Sequence, residues 1–306
     1  MPVEIRGRDR VGYFLRGSHI GPQTIIEISD VRYRLLANAR RTLVDASAFE
    51  QRYELLLGNF TAFEMFCAEV SLRGTLELEF RYEKWAEVLS EANRHAINFL
   101  TTARLFADHV VRDFKHLALP EPFANVAKRL LSEAYDATLG YQFVCELRDH
   151  VQHRAVAVHG IKERSKSAPW SESTLIYCNK KVILEDRGDF KMRVLDQLDD
   201  HIDLLSMFRA YMASISLVQL ALRKLVRQDC IESRAAIELA MKDYASAQKE
   251  EKAGSGRVIG LTAVEGEAGN FSKPVLLILE WDDARVAWGD KNSRAIVLPK
   301  PDAKAV

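Results

Sequence analysis

Residues 85 to 114 read WAEVLSEANRHAINFLTTARLFADHVVRDF. Trp85, Val88, Leu89, Ala92, Ala96, Phe99, Leu100, Ala103, Phe106, Val110 and Phe114 return at steps of three and four, so one apolar stripe follows a helical period throughout. A segment this long with a continuous buried face needs partner helices, and a mainly α fold follows. The interruption comes near Leu117 to Pro122, where two prolines remove backbone donors and end the helix.

On the N-terminal side the same period runs through Tyr53, Leu56, Leu57, Phe60, Phe63, Cys67 and Val70, with Gly74 as a stop. Leu76 to Phe80 alternates and would suit a short strand. Before about Arg41 the chain reads as extended, with β-branched residues from Thr24 to Ile28. On the C-terminal side a third helical stretch runs from Phe123 to Val151, with a bend at Gly140. Residues 165 to 189 hold a polar loop and a hairpin made of Thr174–Tyr177 and Lys181–Leu184. Helical spacing returns from Val194 to Leu225, and a separate helix is signalled by Asp229 followed by Glu232. Lys249 to Arg257 reads as a linker. Short strands follow at 258–264, 275–281, 285–288 and 295–298, placing Trp281 and Trp288 on strands. The expected organisation is an N-terminal extended region (1–40), a helical domain (41–249) with a hairpin insertion near 165–189, and a linker with a small β-rich C-terminal module (250–306).

The 306 residues carry 43 Lys+Arg against 43 Asp+Glu. Zero net charge leaves only a local patch to attract nucleic acid or an anionic surface, and Arg148, Arg154, Lys162, Arg164 and Lys166 could form one. Four scattered cysteines without a CxxC pair suit reduced thiols. The first residues hold no apolar signal region. The most apolar stretch, Ala213 to Val226, is broken by Gln219, Arg223 and Lys224, so a cytoplasmic protein without a membrane span is expected. No P-loop, GxGxxG or GxSxG motif is present.

Chemistry concentrates in one window. Three of the eight histidines, His150, His153 and His159, lie just after Arg148 and Asp149. Imidazole beside guanidinium suits acid–base work on a phosphate. The bland reading is a polar network at a helix end. Cys145, His150, His153 and His159 also raise a metal site, but without a second paired-ligand element no metal or other cofactor is expected. Asp108 and Arg112, four apart on the long helix, suit an ion pair, with His109 beside them.

Arg148-Asp149-x-x-x-His153 resembles the R-x4–6-H signature of the HEPN superfamily, in which a polar residue often follows the arginine. Two other Arg–His pairs with this spacing, Arg104/His109 and Arg154/His159, lack that polar residue. The wider string from Glu146 to Arg154, with Asn93-Arg94, Asn98-Phe-Leu100 and Asp108-His109 upstream, is also similar to uncharacterised bacterial members. The resemblance spans roughly residues 40 to 225. It implies a HEPN-like helical bundle and a metal-independent ribonuclease of toxin or defence type. His153 would take the proton of a ribose 2′-hydroxyl, and Arg148 would stabilise the phosphorane, leaving a 2′,3′-cyclic phosphate and a 5′-hydroxyl. Asp149, His150, Arg154, Asp108 and His109 would support them. RNA, a second copy of the chain and an antitoxin or regulatory protein are the implied partners. Ala155 stands where some HEPN toxins carry a modifiable tyrosine, so that form of neutralisation does not apply. A non-catalytic scaffold or sensor binding a protein or nucleotide in the same cleft is the alternative.

Geometry adds a condition. Five residues of unbroken α-helix turn through about 500°, which leaves Arg148 and His153 about 140° apart. Either the helix is distorted between them or two copies share the site.

Overall fold

A computed structural model describes residues 12–17, 24–76, 82–164, 173–250, 260–267 and 270–297. Among them the chain is mostly helical, with small antiparallel sheets. It folds as two compact units, neither contiguous in sequence.

The first unit comprises residues 1–48, 116–118 and 224–291. Its sheet has the order β2 (Ile25–Ile28), β1 (Gly12–Arg16), β6 (Thr262–Glu267), β7 (Asn270–Leu276), antiparallel throughout. Leu15, paired with Ile26 on one side and Ala263 on the other, is fully buried. The expected C-terminal module is therefore not separate: its strands complete a sheet begun by the N-terminal ones. The unit also contains the first part of α1 (Asp30–Leu76), the last part of α7 (Leu204–Glu250) and α8 (Glu280–Lys291). Helix begins at Asp30, eleven positions before the expected change at Arg41. The Tyr244 hydroxyl on α7 donates to the Thr24 carbonyl at 3.0 Å and accepts from the Gly17 amide at 2.8 Å, tying both ends of the β1–β2 connection down. Trp281 and Trp288 lie on α8 rather than on strands. Asp282 is fully buried because Arg234 and Arg285 both donate to it.

The second unit comprises residues 49–115, 119–223 and 292–306. It takes the rest of α1, then α2 (Tyr82–Val110), α3 (Phe123–Ala137), α4 (Leu139–His153) and the first part of α7. Phe99 is fully buried between Phe60, Phe208 and Tyr211, with ring centroids 4.3–6.0 Å apart. This is the stripe legible from residue 85 onward. A three-stranded sheet, ordered β3 (Gly160–Glu163), β4 (Thr174–Asn179), β5 (His201–Asp203), edges the helices. The hairpin partner of β4 is thus β3. Lys181–Leu184, expected as a strand, belongs to the short helix α5 (Lys180–Glu185), capped by the Asn179 side chain accepting from the Lys181 amide. A last short helix, α6 (Met192–Leu195), precedes β5.

Two further expectations change. The break in the third helical stretch falls at Thr138, whose backbone is extended, and not at Gly140. Gly140 instead lets α4 approach α7, since an added Cβ would lie 2.6 Å from the Ala210 Cβ. The helix expected to start at Asp229 is the uninterrupted continuation of α7. Residues 77–80, most of the polar loop at 165–173, and the linker at 251–257 lie outside the described residues. Helices α1 and α7 each contain a window long and apolar enough to cross a membrane by length and composition, and half of the α7 window is buried within the protein. Core helices of soluble proteins share that signature.

Candidate functional site

Helix α4 carries the window. Its inner stripe is Gly140, Phe143, Val144, Leu147 and His150, all buried. His150 continues the helical period of the core residues and is only 4% exposed. Its ring meets Phe190 edge-on, and neither ring nitrogen has a hydrogen-bond partner among the described residues. Burial pushes its pKa below the usual histidine value.

One position on from Leu147, Arg148 lies at the edge of that stripe with its side chain 28% exposed. Its guanidinium donates to Asp149 at 2.7 Å. Asp149, expected to support Arg148 and His153, is paired with Arg148. Arg148 and Asp149 line a small cleft between α2 and α4, with Arg104 opposite and Cys145, Tyr141 and Tyr211 at its base. The free space is about 30 Å³, room for one water. Burial pushes the Cys145 thiol up to about 12 and the Tyr141 and Tyr211 phenols higher still, so all three remain neutral. Two guanidinium groups are thus the cations of the cleft. Arg104 pairs with Asp108 at 2.7 Å, which corrects the expected Asp108–Arg112 pair.

His153 is the last residue of α4 and is exposed, with no partner among the described residues. The helix is an unbroken α-helix from Arg148 to His153, so it offers no distortion that would bring the two side chains together. His109, at the end of α2, is likewise exposed and makes no contact with Arg148 among the described residues.

Arg154 and Arg164 have structural partners. Arg154 donates to Asp186 at 2.5 Å and packs over Gly188, whose φ of 54° and missing Cβ make room for the guanidinium. Arg164 donates to Asp203 at 2.6 Å, and Lys162 lies over the Tyr177 ring. The basic patch anticipated around the motif is thereby largely neutralised; Lys166 lies outside the described residues.

Two residues gain roles that sequence spacing did not assign. Asn93 on α2 clamps the segment after α4, accepting from the Val158 amide at 2.8 Å and donating to its carbonyl at 3.1 Å. Arg104 reaches the cleft because it lies four residues after Leu100 on the side facing α4. The i,i+4 spacing of Arg104 and Asp108 signals their ion pair but not the place of Arg104 in the cleft. Among the described residues no group of three or more His, Cys, Asp or Glu side chains is placed to hold a metal ion.

No protein-family model matches the chain, and neither a curated protein nor a solved structure does.

Proposed function

We propose that the chain is a metal-independent endoribonuclease of HEPN type, acting as a homodimer in the cytoplasm with Arg148 of one copy facing His153 of the other. The observation that carries this reading is the contrast along α4: Arg148 is held at a cleft beside Arg104, while His153 is exposed and without a partner among the described residues. The helix between them is unbroken, so a second copy is what can bring the two groups to one phosphodiester. The two guanidinium groups would hold nonbridging oxygens, exchanging their Asp108 and Asp149 partners for phosphate. A neutral His153 would take the 2′-hydroxyl proton, and the oxygen would displace the 5′-oxygen from phosphorus. A protein partner that covers the exposed His153 would suffice to silence such a site.

End-labelled RNA incubated in EDTA with wild type or His153→Ala provides the test. Cleavage by wild type alone, with 2′,3′-cyclic phosphate ends, is the expected result. Intact RNA with both proteins would overturn it. A scaffold reading has its own support, the Arg148–Asp149 ion pair at 2.7 Å, which is what a structural network at a helix end contains. It predicts that the protein tolerates His153→Ala, or loses dimerisation with it.

A further inference from the structure

Within the second unit, helix α1 buries one face and leaves the opposite one uncovered among the described residues. Tyr53, Leu56, Phe60, Phe63, Cys67 and Val70 are buried, with Phe60 against Phe99 of α2 and Phe63 against Phe208 of α7. Two positions on from each of these, about 200° around the helix, lie Leu55, Gly58, Ala62, Met65, Glu69 and Leu72, and Leu76 extends the row. Leu76 is 71% exposed, Met65 68%, Leu55 48% and Leu72 41%. A Cβ added at Gly58 would meet nothing within 4 Å. The exposed neighbours Thr61 and Ala68 are uncharged as well. A surface helix normally turns charged residues to water on its outer face, and here the row holds only Glu69, which accepts from Arg73 one turn on.

The spacing indicates what fits. From Leu55 to Leu76 the steps alternate three and four over three heptads, the seam along which one helix packs lengthwise on another. We infer that two copies of the chain pair antiparallel along this face of α1. Charge sets the direction. In a parallel pair the two Glu69 carboxylates would meet at the seam, a like-charge contact; an antiparallel pair keeps them apart. Shape sets the register. Leu55 against Leu72 of the other copy brings Gly58 opposite Glu69 and Ala62 opposite Met65, so each small residue receives a longer side chain. The Glu69 stem can cover Gly58 while its carboxylate keeps Arg73. The face is thereby complementary to itself, as a twofold contact requires.

A membrane surface fits less well, because cations should flank an apolar stripe that lies on lipid. Between residues 55 and 76 the only cation is Arg73, already paired with Glu69. The row is about 32 Å long. One helix pair of that length buries less than the roughly 800 Å² per partner of a standard interface, so the dimer should dissociate on dilution. The pairing uses no residue of the α4 cleft and does not depend on the ribonuclease reading.

Cysteine cross-linking of the full chain reads this face alone, whatever happens at α4. Leu55→Cys and Leu72→Cys, mixed, equilibrated and mildly oxidised, should give a disulfide-linked dimer. Each variant alone, and wild type with its four native cysteines, should give several-fold less. Sedimentation between about 1 and 200 µM should show wild-type mass rising with concentration. Met65→Glu, at an exposed position, should weaken that association about tenfold or more by placing like charges at the seam. Self-linking of either variant at the level of the mixture would overturn the proposal by showing parallel helices. Absence of any cross-link, or association untouched by Met65→Glu, would overturn it by leaving the face to another protein or to lipid.

Discussion

His150 and His153 are three residues apart on one helix and live in opposite surroundings, one 4% exposed and one facing solvent. Substitution should separate them. His153→Ala removes no packing, so its unfolding free energy should stay within about 0.5 kcal/mol of wild type while cleavage disappears. Arg148→Ala should lower the cleavage rate by roughly 10²–10³-fold, the loss typical of removing one preorganised group that stabilises developing charge. Steady-state rates on a defined RNA, read beside urea unfolding curves, check both. The sequence put these residues in one window but did not sort them by environment. His150 could have been recognised as inward-facing, because Phe143, Leu147 and His150 keep the helical step. Arg104 was harder to see: its role depends on which face of α2 meets α4, and no spacing within one helix encodes that.

At the scale of single elements, the long apolar stripes were legible and the punctuation was not. The period through Phe99 and Phe106 identifies α2 because each turn repeats the same burial. Gly140 reads as a bend, yet the chain breaks two residues earlier at Thr138, and the glycine serves close packing against α7. Gly140→Ala should therefore destabilise by about 1–3 kcal/mol through overpacking, despite the better helix propensity of alanine. Asp229 and Glu232 imitate a helix start inside an uninterrupted α7, a local signal overruled by the apolar face that continues on both sides. Glu50, 3% exposed on α1, accepts from Nε and Nη2 of Arg223 at 2.6 and 2.7 Å and from the Gln219 amide at 3.1 Å. Glu50→Ala removes the buried carboxylate that Arg223 and Gln219 share and should cost about 3–5 kcal/mol, measured by denaturant unfolding.

Across the whole molecule, the organisation least visible in the sequence is the sheet joining β1 to β6, strands from opposite ends of the chain. Each strand is short, and pairing over such a separation has no local signature. The histidines supply a global prediction. Burial is the leading cause of lowered pKa at His95, His116, His150 and His159. Each takes up a proton more readily when unfolded, so stability should be full above about pH 6.5 and decline as the pH falls below it. Urea midpoints between pH 5 and 8 would show that slope; a flat profile would contradict it.

In the proposed mechanism Arg148 and His153 act from different copies of the chain. Mixing the inactive variants Arg148→Ala and His153→Ala tests this directly. In a mixed dimer one composite site carries both substitutions and the other carries neither, so random exchange should restore about a quarter of the wild-type cleavage rate. Mixtures that form mixed dimers and remain inactive would contradict the account.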